Sequence, residues 1–130
     1  MRFPRIVLII GALLALTSVA LGAFGAHALA DLLSANNRLS TYELANRYQF
    51  YHALALLALG AVALNQPRPW VTASAVLCLV VGVVIFSGSL YTLALTNIRW
   101  LGAVTPIGGV LLLVGWAIIM LNLWRGDSAD

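Results

Sequence analysis

The chain has 130 residues, 62% of them hydrophobic and 8% charged, with a net charge of +3 and a mean hydropathy of +1.00. A soluble domain this apolar would aggregate, so the composition places the chain in a membrane. The basic balance comes from seven arginines scattered through short polar stretches, with no lysine at all. That pattern argues against nucleic acid as a partner and reads as headgroup anchors and topology signals. The single cysteine, Cys78, excludes an intrachain disulfide and a thiolate metal cluster.

In chain order, Arg2 and Arg5 precede an apolar run, and Ala26-His27-Ala28 imitates a signal-peptide cleavage site. The run is longer than a signal core, so the segment is expected to be retained as a first span over about residues 6–30. Residues 31–37 read as a polar connection. Ser40-Thr-Tyr-Glu43 fits a capping box, with Ser40 as the cap and Glu43 reaching back, which starts a second span over 41–64. Asn65-Gln-Pro-Arg-Pro69 is a rigid break. Trp70 is expected to open the third span (70–95) and Trp100 the fourth (100–124), followed by a polar tail over 127–130. Each span has the roughly 20 apolar residues that cross a bilayer. The expected fold is an all-α, antiparallel bundle of four transmembrane helices forming one membrane domain over residues 1–130.

With both termini cytoplasmic, Arg2, Arg5, Arg68 and Arg125 lie inside and Arg38, Arg47 and Arg99 outside. This bias, with the amino terminus added, favours both ends inside. Trp70 and Trp124 then mark one interface and Trp100 the other.

Small and polar residues gather at the end of each span that converges on the outer leaflet: 22–29, 48–57, 86–91 and 101–109. Polar groups in hydrocarbon are costly unless paired or facing a cavity, so this grouping suggests a shaped polar site open to one face. Gly11, Ala15, Ser18, Gly22 and Gly25 form a small-residue seam on the first span. Gly82 on the third and Gly102, Gly108, Gly109 and Gly115 on the fourth offer further close-packing positions. Some of these faces are expected to pack between subunits of a homo-oligomer.

The candidate polar cluster comprises His27, Glu43, Arg47, Tyr48, Gln49, His52, Ser87, Ser89, Tyr91 and Thr105. Tyr48, Gln49 and His52 share a helical face, and Tyr48 and His52 are one turn apart, close enough to bond or stack. Glu43 and Arg47 stand in the favourable order for an ion pair. His27 is expected to approach His52 across the first hairpin. Each residue also has a structural reading. Glu43 can cap its helix, Arg47 can snorkel, Tyr48 can belong to an aromatic belt, and the hydroxyls can join helices. A histidine bonded to a neighbouring carbonyl or tyrosine is likewise structural. No zinc helix, phosphate loop or nucleophile elbow occurs, so no catalytic residue, metal site or cofactor is assigned. A haem or metal between His27 and His52 is the least favoured option.

The stretches Phe24-Gly-Ala-His-Ala-Leu29, Tyr48 through Leu57 with His52, Phe86-Ser-Gly-Ser-Leu-Tyr91, and Thr105-Pro-Ile-Gly-Gly109 with Gly115-Trp116 touch all four spans. In them the chain resembles the YgdD/YwdK-like family of small bacterial inner-membrane proteins, a domain of unknown function with a relative in animal mitochondria. The resemblance implies a four-helix inner-membrane protein and implies no reaction.

Three functions fit these residues. The first is a non-enzymatic protein of the bacterial inner membrane whose polar end binds a lipid, a small amphiphile or a partner membrane protein and supports membrane integrity. The second is an oligomeric transporter or channel subunit using the histidines, against which the apolar inner halves of the spans argue. The third is a redox or metal enzyme.

Overall fold

The computed structural model describes residues 2–65 and 70–126 and is helical nearly throughout. Five α-helices follow in order: α1 (Arg2–Ala26), the short α2 (Ala30–Ala35), α3 (Leu39–Asn65), α4 (Ala73–Thr96) and α5 (Thr105–Gly126). A 3₁₀ segment, Arg99–Ala103, leads into the last. Four stretches are long and apolar enough to cross a membrane: Phe3–Ala26, Leu39–Asn65, Ala73–Thr96 and Arg99–Gly126. The proline break at 66–69 and the tail at 127–130 lie outside the described residues.

The helices pack antiparallel and in series, α1 on α3, α3 on α4 and α4 on α5. Helix α1 is therefore an outer helix, and Ile6, Ile9, Leu13, Leu16 and Val19 leave an apolar stripe on its exposed side. Below the polar half lies a cluster that includes Val7, Leu56, Leu59, Val76, Leu79, Val83, Leu112 and Ile119, drawn from all four long helices.

Several expected boundaries move, each for a local reason. The stretch read as a polar connection holds α2, which closes in a Schellman arrangement: Arg38 N–H donates to Leu33 O (2.9 Å) and Asn37 N–H to Ser34 O (3.0 Å). Asn37 takes the left-handed conformation this requires (φ 54°), a position asparagine tolerates. The chain then passes directly into α3, whose first turn is closed by Tyr42 N–H donating to Arg38 O. Ser40 therefore lies inside the helix, and the expected Ser40–Glu43 capping box does not form. At α4 the cap is Thr72, whose hydroxyl accepts from Ala75 N–H (3.3 Å), so Trp70 precedes the helix rather than opening it. Trp100 sits in the 3₁₀ segment, and α5 starts at Thr105, with Pro106 where a helix needs no N–H donor.

Close approach of backbones depends on glycine at particular points. A side chain on Gly25 would run into the ring of Tyr42, and one on Gly11 would meet the backbone of Ala53 and Leu57 at 3.0–3.1 Å. The least forgiving contact is at Gly108, where a Cβ would strike the backbone N of Phe86 and the carbonyl of Gly82, neither of which can swing aside. Gly82 and Gly115 face Leu112 and Leu79 in the same α4–α5 seam, whereas Gly102 and Gly109 have only ordinary neighbours at 3.8 Å. Ala15 is half-buried and Ser18 is buried against α3. Gly108→Leu is expected to lower unfolding stability by about 1–3 kcal/mol through overpacking, whereas Gly88→Ala, which meets open space, is neutral or slightly stabilising. Detergent-titrated unfolding of the two variants checks the contrast.

Candidate functional site

Helix α3 carries a ladder of polar side chains, Tyr42, Asn46, Gln49 and His52, spaced three or four apart along one side. The first three reach across to main-chain oxygens of α1. Tyr42 Oη donates to Leu21 O (2.6 Å), Asn46 Nδ2 to Ser18 O (2.7 Å) and Gln49 Nε2 to Leu14 O (3.0 Å). Gln49 Nε2 also donates to Thr17 Oγ1 (2.8 Å), and Ser18 Oγ donates back to Asn46 O (3.3 Å).

On the other side of α3, Tyr91 of α4 closes the network. A carbonyl oxygen only accepts, so both amide nitrogens are fixed as the groups facing α1. Tyr91 Oη then has one consistent role. It accepts from Asn46 Nδ2 (3.0 Å) and donates to Gln49 Oε1 (2.8 Å), giving a bonded chain with a single polarity. The Tyr42 and Tyr91 rings meet edge to face at 4.9 Å. Ser87, buried on α4, donates to Ala45 O (2.7 Å).

His52 lies at the middle of α3 and is buried. Its Nε2 accepts from Trp116 Nε1 of α5 (3.1 Å), and its Nδ1 faces Tyr48 O at 2.8 Å. An indole N–H only donates and a carbonyl only accepts, so both bonds are satisfied together by the Nδ1–H tautomer. The Tyr48 ring stacks on His52 with centroids 6.1 Å apart and leans on Phe86 at 4.5 Å, while its edge stays part-exposed. Ser89 and Thr105 bond to each other (2.7 Å) between α4 and α5, near the polar end.

At that end the connection after α2 is stapled to the C-terminus of α4. Asn36 Nδ2 donates to Ala94 O (3.0 Å) and Leu95 O (3.2 Å), supplying partners to carbonyls that the helix end leaves open. Arg38 Nε donates to the side-chain oxygen of Asn97 (3.1 Å), itself left-handed at φ 55° where α4 stops. Among the described residues no buried side-chain nitrogen or oxygen lacks a partner.

The expected cluster thus divides. Tyr48, Gln49, His52, Ser87, Ser89, Tyr91 and Thr105 join helices. His27 does not meet His52: it is exposed in the turn after α1, in a shallow dent with Phe24 and Ala28. Gln49 contacts α1 at Leu14; His27 lies thirteen residues past Leu14, about 20 Å along the bundle axis, on the side away from His52. One haem or metal therefore cannot take both histidines of one chain, and no three His, Cys, Asp or Glu gather among the described residues.

Glu43 and Arg47 also stand apart from the ladder. Both are exposed and no ion pair forms between them, as expected where solvent-facing pairs gain little. They line instead a groove of about 590 Å³ between α1 and α3. Gly22, Gly25 and Ala26 leave its α1 wall low, and Val19, Phe50 and Tyr51 make its deeper part apolar.

A family profile described as "Protein of unknown function (DUF423)" matches residues 21–109, which run from the end of α1 through the start of α5. The chain belongs to this family. Similar proteins span nearly its whole length. A UPF0382 membrane protein of Staphylococcus saprophyticus is 47% identical over 93% of this chain and 98% of its own length. A UPF0382 membrane protein of Staphylococcus epidermidis is 46% identical over 90% of this chain and 93% of its own. The UPF0382 inner membrane protein YgdD of Escherichia coli K12 is 40% identical over 93% of this chain and 91% of its own. No solved structure matches the chain. This member of the DUF423 family is therefore an all-helical integral membrane protein, and the matched region contains Asn46, Gln49, His52 and Tyr91.

Asn46 and Trp116 were not among the sequence candidates for the polar cluster. An amide side chain inside a span, one turn from Gln49 on the same face, is the signal for Asn46. Trp116 lies halfway along α5, away from either aromatic belt, which marks it as serving a buried partner. Tyr91→Phe is expected to destabilise the fold by about 1–3 kcal/mol, because Asn46 loses one partner and the buried Gln49 oxygen loses its donor. A double-mutant cycle of His52→Ala and Trp116→Phe should show coupling of about 0.6–1.7 kcal/mol, the range measured for interhelical bonds in membranes. Additive losses would separate the two residues.

Proposed function

We propose that this DUF423 protein is a non-catalytic protein of the bacterial inner membrane that holds an amphiphile in the groove between α1 and α3, and through it supports membrane integrity. One observation carries the reading: a cleft of about 590 Å³, a size usual for small-molecule sites, opens beside exposed Glu43 and Arg47. The polar ladder borders the groove at Tyr42 and Asn46 but is occupied with its own bonds, which leaves Glu43 and Arg47 as the charged groups available to a ligand. An E. coli relative named as an inner membrane protein supports the location. The arginine distribution supports cytoplasmic termini, with the groove toward the outer leaflet.

A solute route through the chain would have to continue past His52 and Trp116 into the Leu56, Leu79 and Leu112 cluster, and no observation favours one. Val19→Trp fills the groove from its exposed α1 wall while replacing no residue of the ladder. Native mass spectrometry of gently extracted protein should show a phospholipid adduct on the wild type that falls several-fold in this variant. Equal adducts on both proteins, or none on the wild type, refute the reading.

A further inference from the structure

The order of the two charges along the groove carries a second argument, which rests on the groove reading above. Helix α3 has 27 residues and rises about 40 Å, against a hydrocarbon core of about 30 Å. His52 is at its midpoint, so the core boundary falls about ten residues toward the amino end, near Tyr42. Glu43 therefore sits at the boundary. Arg47 lies one turn, about 6 Å, deeper, on a stem long enough to reach toward the headgroups. Below both, Phe50 lines apolar space, and Val19 walls the α1 side at about the level of Arg47. From the membrane surface inward the groove presents an anion, then a cation, then a hydrocarbon slot.

We infer that the groove selects a glycerophospholipid with a primary-amine, zwitterionic headgroup of the phosphoethanolamine type. In such a lipid the ammonium is outermost, the phosphate lies two carbons nearer the glycerol, and the acyl chains run inward, which is the order the groove complements. Arg47 offers its planar donor fork to phosphate oxygens. The Glu43 carboxylate accepts N–H bonds from the ammonium. Side chains one turn apart have Cβ atoms about 5–6 Å from one another, a spacing that suits neighbouring phosphate and amine. The two do not pair with each other, so neither has to break a bond to receive the lipid. An anionic headgroup without an amine would set its charge beside Glu43. A trimethylated amine has no N–H to donate. A fatty acid offers Glu43 no cation.

The test uses the full-length protein in mild detergent with equimolar dioleoyl phosphatidylethanolamine, phosphatidylcholine and phosphatidylglycerol, read by native mass spectrometry. Phosphatidylethanolamine should be retained over either competitor by roughly five- to ten-fold, the effect of one charge-assisted bond at a part-exposed site. Glu43→Gln should erase its advantage over phosphatidylcholine, and Arg47→Gln should lower retention of all three. Both side chains are exposed, so unchanged helical melting separates a lost contact from a lost fold. Equal retention of the three lipids, a preference for phosphatidylglycerol, or a preference that survives Glu43→Gln overturns the headgroup assignment and leaves the groove reading standing. Failure of the wild type to hold any phospholipid overturns both.

Discussion

Asn46 and Gln49 each bring an amide with two donors and an acceptor inside a membrane span, where unpaired polar groups are costly, and the arrangement of the polar half follows from meeting that demand. Their nitrogens turn toward α1 because main-chain oxygens at Ser18 and Leu14 lie there within bonding distance and can only accept. With the nitrogens committed, the phenol of Tyr91 is the group that can receive from one amide and give to the other. The three side chains therefore bind α1 to α3 and α3 to α4 in one connected unit. Strength in such a unit comes from completeness, since a buried polar group left open costs more than a bond contributes.

This internal completeness also separates structure from function. His52, the residue that most invites a chemical role by being ionisable in mid-membrane, has both ring nitrogens occupied by Tyr48 O and Trp116 Nε1. Glu43 and Arg47 look more ordinary, as charges near a helix end, yet they border open space. The glycines at 22 and 25 connect the two regions. By lowering the α1 wall they allow Tyr42 and Asn46 close to the α1 backbone, and they leave the cleft above.

The sequence made the four membrane-spanning helices, their antiparallel order and the polar end legible, because length, hydropathy and the placement of small residues act locally and additively. The membrane family was legible from motifs spread over all four spans. What it hid depends on three-dimensional accidents of register. Residues 31–37 look like a loop by composition, but Asn37 in a left-handed turn lets α2 run almost unbroken into α3 and removes the need for Ser40 as a cap. The two histidines look paired if depth is judged from nearby chain ends, whereas the contact of Gln49 with Leu14 fixes a register that holds them far apart. Asn46 looks like one more polar residue near an interface until Tyr91 arrives from a helix forty-five positions away.

The bonds from α3 to α1 end on main-chain carbonyls at Leu14, Ser18 and Leu21 and on one side chain, Thr17. Each of those carbonyl oxygens also accepts within its own helix and uses its second lone pair for α3. The donors are thus written mostly on α3, while α1 contributes the small residues that let α3 approach. The side chains at positions 14 and 21 can drift among residues that keep α1 helical without erasing an acceptor. A change at 42, 46 or 49 removes a donor that nothing on α1 replaces. Mutational tolerance across this contact is therefore lopsided: apart from its glycines and Ser18, the outer helix is free to follow the lipid it faces, while the inner helix is held to its letters.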